Sequence, residues 1–218
     1  MQDIGEKEFE VEIGTRRLEG IIRVSKGAFC LVVFAHGSGS SRLSSRNIFV
    51  AEKMGTHGIA TLLFDLLTEA EAQDRANVFD IPLLGERMGE AVSWTLADPR
   101  TAHLPLGLFG SSTGAAAALV AAARHPREIG AVVSRGGRPD LAGQALSQVK
   151  APTLLIVGGN DHGVIELNER AAEALCCETR LVLIPGATHL FEEPGALDHV
   201  VDQASGWFQS HLGRTAER

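Results

Sequence analysis

The stretch Leu106-Gly-Leu-Phe-Gly-Ser-Ser-Thr-Gly-Ala-Ala-Ala-Ala constrains this chain more than any other. An apolar strand-like run enters Gly110-Ser111-Ser112-Thr113-Gly114, and an alanine-rich helix-like run leaves it. Gly-x-Ser-x-Gly at such a junction marks a sharp strand-to-helix turn that lifts a serine Oγ clear of a sheet. The turn crowds its neighbours, and the missing Cβ of glycine relieves the clash. Putting Ser111 at the centre would require glycine at Phe109 and Thr113, so the motif assigns Ser112 as the candidate nucleophile.

Around this turn, apolar runs alternate with helix-type segments. Phe9–Ile13 and Leu18–Val24 read as an opening hairpin, with Gly14-Thr15 near its turn. The later runs are Cys30–Ala35, Ile59–Phe64, Leu104–Phe109, Ala131–Ser134, Thr153–Val157 and Leu181–Ile184. Unbroken apolar runs suit strands covered on both faces of a parallel sheet. Helices are expected near Asn47–Thr56, Pro82–Ala97, Thr113–Arg124, Ile165–Leu175 and Leu197–His211. The alternation predicts one α/β domain over residues 1–218, with a mostly parallel sheet of about eight strands and helices on both faces. Gly213–Arg218 reads as a frayed polar tail.

Bulk properties exclude several classes. The net charge is −7 and no long Lys/Arg run occurs, which argues against a nucleic-acid surface. No apolar stretch approaches the roughly 20 residues of a membrane span, and the polar start Met1-Gln-Asp-Ile-Gly-Glu-Lys lacks the apolar segment of a signal peptide. A cytoplasmic protein without membrane association is expected. The three cysteines, Cys30, Cys176 and Cys177, are expected to be reduced and mostly buried.

A serine hydroxyl is a poor nucleophile at neutral pH and needs a base, which in turn needs an orienting acid. The turn predicts the chain order serine, acid, histidine. Thr153-Leu-Leu-Ile-Val-Gly-Gly-Asn-Asp161 ends a strand-like run in an acid, and Leu181-Val-Leu-Ile-Pro-Gly-Ala-Thr-His189 ends another in a histidine. Strand ends are where sites of open α/β sheets lie. Ser112 would attack a carbonyl, His189 would shuttle the proton, and Asp161 would hold the histidine tautomer. Backbone N–H donors for the resulting oxyanion are expected from Thr113 and from His36-Gly37-Ser38-Gly39-Ser40, with Ser38 preferred and Gly37 or Gly39 open through a register error. The competing reading of the elbow is a glycine-rich turn that binds an anion at a helix N-terminus.

Other residues carry weaker signals. Asp65 ends the Ile59–Phe64 run, but an acid before the serine breaks the expected order, so hydrogen bonding to loop amides is its assigned role. His36 is expected to brace the oxyanion loop. Arg135 either faces the pocket, favouring an anionic substrate, or pairs with acidic residues of the rim; the pairing is the favoured alternative. The acidic connection Leu67–Asp80 either rims a pocket or is a solvated loop.

With these residues in view, the chain resembles α/β-hydrolases, and among them the small dienelactone-hydrolase-like esterases. The resemblance rests on the opening hairpin, the His36-Gly-Ser-Gly loop, the elbow, the Gly158-Gly-Asn-Asp turn and the His189 loop. It implies the α/β-hydrolase fold, with eight strands in that family's order, and ester or lactone hydrolysis of a small molecule without a cofactor or metal. Dienelactone hydrolases proper carry cysteine at the nucleophile position. Ser112 therefore points toward general carboxylic esters. The connections after the elbow are short, so no inserted cap is expected. The same triad also serves an acyltransferase, thioesterase or perhydrolase, and the scaffold alone could act as a non-catalytic binding module.

Overall fold

A computed structural model describes residues 7–213. The expected polar tail lies outside these residues apart from Gly213, as does all of the polar start except Lys7. The chain opens with β1 (Lys7–Ile13) and β2 (Leu18–Val24), followed by β3 (Cys30–Ala35), α1 (Ser45–Thr56) and β4 (Ile59–Phe64). Two single-turn helices, α2 (Glu69–Ala72) and α3 (Arg75–Val78), precede the long α4 (Ile81–Ala97). Then come β5 (Leu106–Ser111), α5 (Thr113–Arg124), β6 (Ile129–Arg135), a 3-10 segment (Pro139–Gln148) and β7 (Thr153–Gly158). The final elements are α6 (His162–Ala174), β8 (Thr179–Ile184) and α7 (Ala196–Leu212).

One eight-stranded sheet has the order β1-β2-β4-β3-β5-β6-β7-β8. β1 and β2 form an antiparallel hairpin, and β2 joins β4 antiparallel. The other five pairings are parallel. Buried residues on the two faces form separate cores. Leu31, Val33 and Ala35 of β3 pack with α4 and α5, whereas Cys30, Val32 and Phe34 pack with α1 and α7. The period-2 alternation of a strand covered on both sides produces this split and explains why β3 is apolar at every position.

Local chemistry places the helix starts. Ser44 accepts from Asn47 N–H, and Asp80 accepts from Leu83 N–H with a proline in the first turn. Thr68 and Glu71 form a reciprocal capping box that fixes α2. That box turns the 67–80 connection into ordered walls. Arg87, almost fully buried, ties Glu71 at 3.2 Å to Glu90 at 2.9 Å and anchors those walls on α4. α5 is buried from Thr113 through Ala122, and its alanines let the helix lie close against the sheet. The connection after β6 is longer than expected because it carries the 3-10 segment, which folds against α5 and α6.

Among the described residues, no helix is long and apolar enough to cross a membrane. The cysteines are all unpaired; Cys30 is buried and its thiol pKa is pushed up to about 12 by desolvation. Cys176 corrects the expectation of burial: it lies exposed just beyond α6, where the chain has left the helix and not yet entered β8.

Candidate active site

Ser112 sits between β5 and α5 with φ 51° and ψ −125°, a backbone conformation rarely adopted by a residue with a side chain. Such strain costs on the order of 1–3 kcal/mol and persists where the surroundings over-determine it. They do so here. The Ser112 N–H donates to Arg135 O at 3.4 Å, and the Arg138 and Ala115 N–H groups donate to Ser112 O at 3.0 and 3.1 Å. A Cβ on Gly114 would collide with the carbonyl oxygens of Ala35 and His36, and one on Gly110 with the backbone of Gly114 and Ala115. Backbone atoms of a buried strand cannot swing aside. Gly114→Ala is accordingly expected to cost stability near or above the upper end of about 1–3 kcal/mol, read as a shift in the urea midpoint. An unshifted midpoint would show that the elbow is looser than described.

The β3 loop closes over the same serine. A Cβ on Gly37 would lie 2.9 Å from Ser112 Cβ and 3.6 Å from Ser112 Oγ. His36 holds this loop in place: its Nδ1 lies 2.9 Å from Gly37 O, and Leu66 N–H donates to its Nε2 at 3.0 Å. Accepting at Nε2 requires a lone pair there, so the proton is on Nδ1 and the ring is neutral. Burial pushes the His36 pKa down from its ordinary value, more strongly than Gly37 and the Asp65 charge raise it. The unfolded chain therefore binds the proton first as pH falls. Stability should be full above the ordinary value of 6.5 and decline below it. Denaturant midpoints between neutral and mildly acid pH should show this slope, and His36→Gln should flatten it.

Asp161 and His189 meet across two loops. Asp161 stands at the N-cap of α6 without capping it, which leaves the carboxylate free. His189 Nδ1 lies 2.7 Å from Asp161 Oδ2, with side-chain exposures of 38% and 16%. A carboxylate only accepts, so Nδ1–H is the donor, and in the neutral ring the lone pair is then on Nε2. The β7 turn is fastened to the histidine loop by Gly159 N–H to Ile184 O at 2.8 Å and Asn160 N–H to Ala187 O at 2.9 Å. Thr188 is held by Glu193 through both its N–H, at 3.1 Å, and its hydroxyl, at 2.6 Å. Gly136, one residue past the Arg135 carbonyl that receives the Ser112 N–H, brings the two halves together. A Cβ there would lie 3.0 Å from His189 O and 3.7 Å from His189 Nδ1. The three strand ends β5, β7 and β8 thus deliver Ser112, Asp161 and His189 to one edge of the sheet.

Thr113 begins α5 and is buried, while Ser38 and Gly39 are exposed beside it. A cavity of about 800 Å³ borders this point, touching Gly37, Ser38, Gly39 and Thr113. Apolar Leu18, Leu66, Leu67 and Leu84 share its lining with the charged Arg17, Glu19, Arg42 and Glu69, so the 67–80 connection does rim a pocket. Asp65 is structural: its Oδ1 accepts from Arg42 N–H at 2.6 Å and its Oδ2 pairs with the Arg42 guanidinium.

Arg135 requires a correction. It forms no ion pair with the acidic rim. It is 8% exposed, its guanidinium carbon lies 6.0 Å from the Phe191 ring centroid, and its Nη1 has no acceptor among the described residues. The rim carboxylates of Glu69 and Glu71 lie with α4 on the other face of the sheet, out of its reach. Burial, and secondarily the like charge of Arg46, push its pKa down to about 10. Arg46, in the first turn of α1, becomes its neighbour only through the fold, as does Phe191, buried with φ 54° two residues after His189.

The dienelactone hydrolase family model matches residues 31–208, and the chain belongs to that family. A crystal structure of a dienelactone hydrolase from Anabaena variabilis is 54% identical, covers 95% of this chain and 98% of its own, and superposes with a TM-score of 0.90. A Mycobacterium tuberculosis protein named as a phosphoribosyl transferase is 55% identical over 207 residues, which is 95% of this chain and 47% of that protein. The chain therefore spans about half the length of the curated relatives it matches. A dienelactone hydrolase-like promiscuous phosphotriesterase from metagenomic libraries is 17% identical over 95% of this chain and 99% of its own, with a TM-score of 0.77, and shares the fold.

Proposed function

We propose that the protein is a serine hydrolase that cleaves small carboxylic esters or lactones through an acyl-enzyme on Ser112. The observation that carries this reading is the 2.7 Å contact of His189 Nδ1 with Asp161 Oδ2 beside the strained Ser112 turn. Membership in a hydrolase family supports it. The transferase name belongs to proteins about twice as long, of which this chain matches about half.

In this mechanism His189 Nε2 accepts the Ser112 proton as Oγ attacks the ester carbonyl. Asp161 stabilises the imidazolium without taking the proton. The N–H groups of Thr113 and Ser38 receive the developing oxyanion, a contribution of about 3 kcal/mol per donor in comparable sites. The imidazolium then protonates the departing alkoxide. Water activated by His189 Nε2 attacks the acyl-enzyme, and collapse of the second tetrahedral intermediate releases the acid and restores Ser112.

The cavity borders Thr113, the residue after the nucleophile, so one arm of the ester would extend into that chamber. 4-Nitrophenyl esters of increasing acyl length, assayed by nitrophenolate release, should be turned over with an optimum at a chain length the chamber can hold. No turnover at any length would contradict the reading. Adding methanol or hydrogen peroxide as competing acceptor separates hydrolysis from acyl transfer and perhydrolysis, since only the latter two give methyl ester or peracid as the main product.

A further inference from the structure

One buried side chain outside the triad ties its acid to its nucleophile. The helix α6 starts at Asp161 and buries only Asn168 and Ala171. Asn168 lies about two turns beyond Asp161 and is 0% exposed. Its Nδ2 donates to Gly137 O at 3.0 Å and to Val164 O at 2.8 Å. Both acceptors are carbonyl oxygens, so only the NH₂ end can face them and the orientation of the amide is fixed. The other end, Oδ1, is enclosed and has no partner among the described residues.

Asparagine is a poor residue for this place on packing grounds alone. It is a weak helix former, and a buried acceptor left without a donor is destabilising. A leucine would fill the space and leave no orphaned oxygen. What leucine lacks is the pair of donors. One of them holds the first turn of α6, where the Val164 and Ile165 N–H groups donate to Asp161 O at 3.0 and 2.9 Å. The other grips Gly137, in a segment that meets every member of the site. Arg135 O accepts from the Ser112 N–H, the Arg138 N–H donates to Ser112 O, and Gly136 stands against His189. The Gly136 N–H also donates to Ile156 O of β7 at 2.7 Å. The turn that carries Asp161 is thus fastened to this segment at both ends, from β7 by a backbone bond and from α6 by Asn168.

We propose that Asn168 is a positioning residue for the hydrolysis: by joining α6 to Gly137 it sets the Asp161 carboxylate against His189, on the same segment that holds the Ser112 turn. It acts through Asp161 and touches neither the substrate nor the reacting atoms. A displacement of about 1 Å imposed from a distance is enough to lower a rate by about 100-fold. This inference rests on the esterase reading above and adds to it a residue outside the triad.

Asn168→Leu fills the site and removes both donors. Turnover of 4-nitrophenyl butyrate by this variant should fall by about 10–100-fold in kcat. KM should stay within about twofold of the native value, because neither Asn168 nor Gly137 lines the chamber. A second background separates positioning from plain support of the fold. In Asp161→Ala no carboxylate remains to be placed, and adding Asn168→Leu should change kcat by less than about twofold. Asn168→Ser can still bond the Val164 carbonyl one turn back but is too short to hold Gly137 O. It should show the same loss, and it serves if the leucine variant fails to fold. A kcat within about twofold of native in both single variants, or an equal loss with and without the Asp161 carboxylate, overturns the proposal. If the native protein turns over no ester, the esterase reading fails instead. The proton resonance of His189 Nδ1–H then decides the positioning separately: its displacement in Asn168→Leu sustains the proposal, and an unmoved resonance overturns it.

Discussion

Ser112→Ala is expected to lower hydrolysis of a short-chain 4-nitrophenyl ester by about 10⁴–10⁶-fold, the loss typical of removing the nucleophile from a triad. The residual rate should still exceed the uncatalysed one, because the proposed oxyanion donors at Thr113 and Ser38 and the chamber beside them are untouched. The fold should survive. The side chain makes no hydrogen bond that caps α5, and the turn is held by backbone contacts to Arg135 and Arg138 that alanine preserves. Circular dichroism and thermal unfolding of the variant check this. His189→Ala should cost about as much, and the double variant little more than either single one, because the two act as a unit. Additive losses would show two independent contributions.

Asp161→Asn is the second large effect, expected near 10⁴-fold in kcat. The substitution is nearly isosteric, and its consequence is a matter of tautomers. The carboxylate accepts at 2.7 Å and so requires the proton on His189 Nδ1. An asparagine amide can present its NH₂ group instead, and Nδ1 then becomes the acceptor. The proton moves to Nε2, where the lone pair is needed. Proton NMR of the histidine ring should show the exchange of tautomers. If Asp161→Asn lost less than tenfold, the acid would be dispensable for orientation and Asp161 would act only as the first residue of α6.

Much of this architecture is legible in the sequence, because the strongest local signals coincide with the long-range ones. β2, β3, β4 and α5 have the bounds that their apolar runs and flanking turns predict. The strand before the elbow is displaced: Leu106–Ser111 replaces Leu104–Phe109, because Gly110 and Ser111 continue the ladder opposite Ser134 and Arg135. Leu104, although apolar, is spent on a turn to Thr101. α2 and α3 escape periodicity because one helical turn is too short to show any, although Thr68-Glu-Ala-Glu71 spells the capping box of α2. The 3-10 segment Pro139–Gln148 escapes because Gly143, at φ 53°, breaks it into two pieces too short to show a period.

The site divides in the same way. Ser112, Asp161 and His189 each stand at the end of an apolar run, and chain order alone separates Asp161 from Asp65. The bracing role of His36 follows from its place beside the glycines of the β3 loop. Arg135 shows where such reasoning stops. Its partner depends on which face of β6 it occupies and on what lies across that face, and the answer is Phe191 and Arg46 rather than an acid. A side chain's neighbours across a sheet are set by topology, which its own sequence context does not carry.

An activated serine at the elbow reacts with a fluorophosphonate, and peptide mass spectrometry of the treated native protein locates the adduct. Stoichiometric modification of Ser112 is expected, abolished in His189→Ala. An unmodified Ser112, or an adduct confined to another residue, would contradict it.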